Sequence, residues 1–190
     1  MEVVSRDEFK QNEKLFLGRI KEGSIFIYPT DTIYGIGCNA LHDESVLRIR
    51  ELKERSKSPF SVIAPSNKWI YTNCEVSEEA AAWVEKLPGP YTLILKKKKD
   101  AVSKYLAPGL DTLGVRIPKH WFSAVVEKLG IPIVTTSANK SGKDFMTSLK
   151  DLDEALKKAA DFIIYEGEKK GDPSQLVDLT GKPKLIEREL

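Results

Sequence analysis

The chain has 190 residues, 41% of them hydrophobic, enough to bury one sizeable core and too few for two ordinary catalytic domains. Its 30 Lys and Arg stand against 28 Asp and Glu, and the resulting net charge of +2 gives no general attraction to nucleic acid, so any anion site must be local. The first residues are acidic where a secretory leader is basic, and no stretch nears the roughly 20 apolar residues of a membrane span; the expectation is a cytoplasmic protein without membrane contact.

Residues 5–22 read as one amphipathic helix, with Ser5 and Glu8 spaced as a capping box, Phe9, Phe16 and Ile20 along one side, and Gly23 as the stop. The period then changes. Residues 24–28, SIFIY, are short, β-branched and aromatic and end at Pro29, the pattern of a buried strand that delivers its C-terminal end to a loop. Val46, Leu47 and Leu52 predict a helix over 43–54, and a strand over 60–64 follows closely. Further strands are predicted over 91–95 and 113–117, a helix over 120–129 stopped by Gly130, a strand over 131–135, a helix over 148–160 and a strand over 162–165. This alternation predicts one α/β domain over residues 1–190, a twisted sheet of mixed parallel and antiparallel strands with flanking helices, whose ligands collect beyond the carboxyl ends of strands. Cys38 and Cys74 lack the paired spacing of a zinc site or a disulfide framework and read as buried small hydrophobes. The basic run 96–99 reads as a solvated strand end.

Three polar motifs sit at the predicted strand ends. Pro29, Thr30, Asp31, Thr32, Ile33, Tyr34, Gly35, Ile36 and Gly37 bring two hydroxyls, a carboxylate and two glycines directly after a strand, which suits a small polar ligand held against exposed backbone. The same stretch fits the relaxed dinucleotide pattern G-x-G-x-x-A, but no helix opens at once; a plain glycine turn is the other reading. Lys53, Arg55 and Lys57 are spaced two apart, so they converge only if the helix has unwound by then, which Pro59 favours; such cations suit a polyphosphate, although taken alone the stretch reads first as a solvated helix end. In the stretch from Thr135 through Ser137 and Asn139 to Gly142, a buried strand breaks into short hydroxyl and amide side chains that can position a ligand or serve only as a turn.

Two familiar chemistries do not fit. A hydrolytic triad has only His42 and His120 to draw on, and neither Ser137 nor Ser141 sits in a G-x-S-x-G elbow. A Walker A loop fails because Gly142 and Lys143 lack the earlier glycine and the following Ser or Thr.

Taken together, YPTDTIYGIGCNA, the KER at Lys53 to Arg55 followed by Pro59, PGPYTLIL from Pro88, LGVRIPKH from Leu113, TTSANKSG from Thr135 and DPSQLVDLTG from Asp172 resemble the YrdC family in order and spacing. The resemblance implies a YrdC-like fold and threonylcarbamoyl-AMP synthase activity: L-threonine, bicarbonate and ATP give threonylcarbamoyl-AMP and pyrophosphate, with Mg²⁺ as companion ion. It further implies that Thr32, Arg116, Thr135 and Ser174 bind threonine or its carbamate. Lys53 and Arg55 would face the phosphates as the catalytic pair, with Ser58, Ser137, Asn139 and Arg188 completing the ATP set. A downstream tRNA threonylcarbamoyl transferase complex is the implied partner, with RNA contact as a further expectation. Gln175 stands where many members have Thr, and Ile63 where some have His. The alternatives are a carbamoyl-adenylate-forming enzyme and a double-stranded RNA-binding module without catalysis.

Overall fold

Side chains that alternate along each strand sort this protein into one sheet with two unlike faces. The structure is a computed structural model that describes residues 1–54, 58–98 and 100–187. In chain order the elements are β1 (Glu2–Val4), α1 (Arg6–Gln11), α2 (Glu13–Lys21), β2 (Phe26–Tyr28), β3 (Gly35–Gly37), α3 (Asp43–Leu52), β4 (Ser61–Ile63), α4 (Asn67–Asn73), β5 (Cys74–Glu75), α5 (Glu78–Val84), β6 (Tyr91–Lys97), β7 (Thr112–Arg116), α6 (Phe122–Leu129), β8 (Ile133–Ser137), α7 (Glu154–Ala159), β9 (Phe162–Ile164), β10 (Gln175–Asp178) and β11 (Lys184–Ile186). The strands line up as β1-β9-β2-β3-β8-β4-β7-β6-β10-β11, with β5 added beside β6. Pairs β1–β9, β9–β2, β4–β7 and β6–β10 are parallel and the others antiparallel, the mixed sheet expected. Among the described residues no helix is long and apolar enough to cross a membrane.

One face carries an aromatic cluster: Phe26, Tyr28 and Phe162 from the strands, Phe9 and Phe16 from α1 and α2, and Phe122 from α6. Phe26 and Phe162 stack with ring centroids 5.1 Å apart, and Tyr28 stacks on Phe122 at 4.7 Å. The other face packs Ile27, Ile36, Val134, Val62, Val115, Leu93 and Val177 under α3, α4, α5 and α7. The aromatic cluster ends at Ile63 on β4; among the described residues β7, β6 and β10 contribute nothing to it. On that half of the sheet the first face is therefore open, and Ser61, Gly114, Ile94 and Leu176 are only half-buried although they lie in the middle of a sheet.

Several elements depart from expectation. Residues 5–22 form two helices, not one: the Ser5 capping box is present, with Ser5 N–H donating to Glu8 Oε2 at 2.7 Å, and the first helix ends at Asn12, whose backbone N–H and side-chain amide share the Glu8 carbonyl at 3.1 and 3.0 Å. The helix expected over 148–160 starts only at Glu154. Asp151 gathers Ser148 N–H and the Ser148 and Thr147 hydroxyls into a turn, and Asp153 then caps α7. The glycines after Tyr34 form a strand, β3, and neither a loop nor a phosphate cradle. A Cβ on Gly37 would meet Val134 O at 2.1 Å and the Tyr28 ring at 3.0 Å, and one on Gly35 would meet that ring at 3.1 Å. They are glycines so that Tyr28 can lie across β3 and donate its hydroxyl to Val134 O at 3.2 Å. Cys38 and Cys74 are buried as expected; burial raises both thiols, Cys74 to about 11.

Candidate active site

Strand register places a band of short polar groups across the open face. Thr135 pairs with Ser61, and Ser61 with Gly114, so the three lie side by side on β8, β4 and β7. Because β8 runs antiparallel to β4 and β7, the next residues on this face lie at opposite ends of the band, Ser137 on β8 at one and Arg116 on β7 at the other. Thr92 on β6 reaches the same patch, and its hydroxyl lies 2.7 Å from that of Ser174, just ahead of β10. Gly114 leaves room for Ser61, whose Oγ an added Cβ would meet at 2.4 Å and so push aside.

The loop between β2 and β3 closes one end of the band. Thr30 donates its hydroxyl to Ile33 O at 2.7 Å, so the 3.0 Å contact between Thr30 and Thr32 has Thr32 as donor, and the Thr32 lone pairs face Arg116. Arg116 Nη1 and Nη2 each lie 3.4 Å from Thr32 Oγ1, and Nη2 donates to Asp31 Oδ1 at 2.6 Å. Arg116 is 5% exposed, and among the described residues its Nε has no hydrogen-bond partner. Burial lowers the guanidinium pKa, and the charge of Asp31 works against that shift.

At the other end, α3 stops at Leu52 and Lys53 turns inward. Its ammonium donates to Ser137 O at 2.6 Å, Asn139 O at 2.7 Å and Asn139 Oδ1 at 3.0 Å, with the residue 1% exposed. In this structure the ammonium of Lys53, expected to face phosphates, holds the exit of β8 in place. The next residue, Glu54, has φ 53 and pairs with Lys140 at 2.8 Å, which ties the start of the following loop to the 139–143 turn. Arg50 pins the far end of that loop through Ser58 O at 3.1 Å; Ser58 itself is exposed. Arg55 and Arg188 lie outside the described residues. Thr32 and Arg116 thus meet directly, Lys53, Ser137 and Asn139 form a second group, and Ala138 N–H donating to Tyr34 O at 3.1 Å joins the two loops. Among the described residues no three His, Cys, Asp or Glu side chains gather closely enough to hold a metal ion.

The model of the Sua5–YciO–YrdC family, whose description reads "Telomere recombination", matches residues 19–189. The chain belongs to this family. A Pyrococcus abyssi protein named threonylcarbamoyl-AMP synthase is 36% identical to it over 180 residues, which make up 92% of this chain and 53% of that one. A Methanocaldococcus jannaschii protein to which the same name is provisionally given is 34% identical over 183 residues, with 93% of this chain and 84% of that one covered. The crystal structure of P. abyssi Sua5 complexed with L-threonine superposes with a TM-score of 0.86 at 34% identity, over 97% of this chain and 56% of that one. The chain therefore spans little more than half the length of its Pyrococcus relative.

In this Sua5–YciO–YrdC chain a strap also borders the site. Residues 165–174 join β9 to β10, which are separated in the sheet by six strands. Tyr34 donates to Gly167 O at 2.6 Å and accepts from Glu166 N–H at 3.1 Å. Glu166 is clasped by His120 Nε2 and Lys169 Nζ, each at 2.8 Å, and by Trp121 Nε1 at 2.9 Å. Burial alone would raise the Glu166 carboxyl; the hydrogen bonds of Lys169, Trp121 and His120 outweigh it and hold the pKa at about 2. Gly171 presses on the loop beneath, where an added Cβ would meet Thr32 O at 2.3 Å. Asp31, Ser61, Thr92, Gly114 and Gly171 also border this candidate site, and sequence reasoning did not single them out. Ser61 and Gly114 carried a signal in being small at strand positions where alternation calls for bulk; Asp31 was quoted within its motif but given no role.

Proposed function

We propose that this chain is a threonylcarbamoyl-AMP synthase that converts L-threonine, bicarbonate and ATP to threonylcarbamoyl-AMP, pyrophosphate and water. The observation that supports this most is the convergence of Thr32, Arg116, Thr135 and Ser174 on one half-open sheet face that Ser137 also borders. L-threonine sits between Thr32, Thr135 and Ser174, with its carboxylate or the carbamate oxygens against Arg116. The ATP phosphates lie toward the Ser137 hydroxyl and Asn139 amide, with Arg55, Ser58 and Arg188 as the further phosphate and nucleotide contacts. The nucleophile is the carbamate formed from the amine of threonine and bicarbonate. It attacks the α-phosphorus, the bond to the β-phosphate oxygen breaks, and pyrophosphate leaves. No protein nucleophile is needed, which agrees with the lack of a triad. What the protein supplies is placement of two charged reactants on a rigid floor, together with cationic and hydrogen-bond donors for the charge that builds on phosphate. The acyl-adenylate then passes to a transferase that modifies tRNA.

Incubation with L-threonine, bicarbonate and Mg-ATP, followed by mass spectrometry, is expected to give threonylcarbamoyl-AMP. Pyrophosphate release that does not depend on both threonine and bicarbonate would refute the assignment.

A further inference from the structure

The middle of the sheet floor carries a hydroxyl that the fold itself does not use. Register sets Thr135, Ser61, Gly114 and Ile94 side by side on the open face, across β8, β4, β7 and β6. Thr135 is buried, Gly114 has no side chain and Ile94 is apolar. Ser61 is half-buried although a strand pairs with it on either side, so what solvent reaches is its side chain on the open face. Its Oγ leans toward Gly114, where an added Cβ would meet it at 2.4 Å. Among the described residues that Oγ has no hydrogen-bond partner, and unlike Arg116 Nε it is not sealed from solvent. Thr92, beside it on the floor, is buried with its hydroxyl 2.7 Å from that of Ser174. Ser61 also lies midway between the two ends of the band: Arg116 stands two residues along in one direction and Ser137 two residues along in the other, each about 7 Å by strand rise.

We propose that Ser61 is a further catalytic residue: its hydroxyl donates a hydrogen bond to a non-bridging oxygen of the α-phosphate while the carbamate attacks. The inference deepens the proposed activity and rests on it. With the amino acid anchored at the Arg116 end and the phosphates at the Ser137 end, carbamate and α-phosphorus meet over the middle row. Thr135 is committed to threonine there, and Gly114 and Ile94 offer no side-chain donor, which leaves Ser61. In the step itself the bond from carbamate oxygen to α-phosphorus forms, the bond from that phosphorus to the β-phosphate oxygen breaks, and its electron pair leaves on pyrophosphate. Ser61 keeps its proton throughout. A donor placed where charge builds speeds the step without tightening the binding of either substrate. Gly114 belongs to the same arrangement, since its missing Cβ is what leaves the hydroxyl its place on the floor.

The test follows acyl-adenylate formation from L-threonine, bicarbonate and Mg-ATP in wild type and Ser61→Ala, and in each with the two diastereomers of ATP that carry sulfur at one non-bridging α-phosphate position. Ser61→Ala removes a hydroxyl on which no other described residue depends, so its Tm is expected to stay within about 2 °C of wild type. Its kcat is expected to fall roughly tenfold to a hundredfold, with the KM for L-threonine and for ATP each within about twofold of wild type. One sulfur diastereomer is expected to slow wild type, and the same sulfur is expected to cost Ser61→Ala less, because the donor it disturbs is gone. Ser61→Cys, which exchanges the hydroxyl for a weak donor, is expected to give the same pattern and keeps the test open if the alanine variant melts early. Wild-type kcat in either folded variant, a loss confined to KM, or a sulfur effect as large as in wild type overturns the proposal. Wild-type protein that makes no acyl-adenylate overturns the activity itself, and the role of Ser61 with it.

Discussion

The inward turn of Lys53 can be tested by replacing it with methionine, which keeps most of the buried stem and removes only the ammonium. Three charge-assisted hydrogen bonds disappear, and two backbone carbonyls and one amide oxygen lose their donor. Each abandoned buried acceptor costs about 1–3 kcal/mol, but Ser137 and Asn139 are half-buried, so water replaces part of the loss. The variant also escapes the penalty of burying a cation. The net destabilisation is about 3 kcal/mol, which for a chain of this size lowers Tm by roughly 6–12 °C. Thermal unfolding followed by circular dichroism reads the change directly, and ATP affinity is measured on the same samples. A Tm within about 2 °C of wild type, accompanied by lost ATP binding, would mean that the ammonium is free to reach phosphate and that its bonds to Ser137 and Asn139 contribute nothing.

Two other outcomes follow from the same geometry. Gly37→Ala forces a Cβ against Val134 O and is expected to destabilise by about 3 kcal/mol, whereas Gly18→Ala, in α2 with nothing within 4 Å, is expected to stabilise by about 0.5–1 kcal/mol; urea unfolding of both gives the contrast, and equal effects would contradict the packing of Tyr28 over β3. The Glu166 clasp has a folded pKa of about 2 against an ordinary 4.5, so its contribution is complete above pH 4.5 and fades as pH falls from there toward 2. Thermal melts across that window should fall more steeply for wild type than for Glu166→Gln, and parallel curves would remove the clasp.

The α/β class was legible because strand and helix periods alternate cleanly from Phe26 to Ile164. The site was legible only in pieces. Thr32, Arg116, Thr135 and Ser174 were recognised by motif, but what makes them a site is the open half-face, and that depends on register between strands far apart in sequence. The bond from Arg116 to Asp31 spans 85 residues, and no local pattern announces it. Lys53 is a related case: its spacing to Arg55 says that the two can converge, while the carbonyls that take its ammonium come from 84 and 86 residues downstream. Local rules failed where a side chain builds a turn of its own, as Asp151 does ahead of α7 in the stretch expected as a helix over 148–160. Helices α4 and α5 went unpredicted although Ser66 and Ser77 cap them, because each has only 7 residues, too few for a periodic stripe to show.

The strap from β9 to β10 couples the curvature of the sheet to the length of ten residues. Fully extended, such a segment reaches about 35 Å, while seven strand spacings laid flat measure about 34 Å. A flat sheet would therefore pull the tether straight and lift it from Tyr34 and Thr32; only a curled one leaves it enough length to dip onto them. Bending of the sheet and closure over the threonine loop are in this sense a single mechanical coordinate.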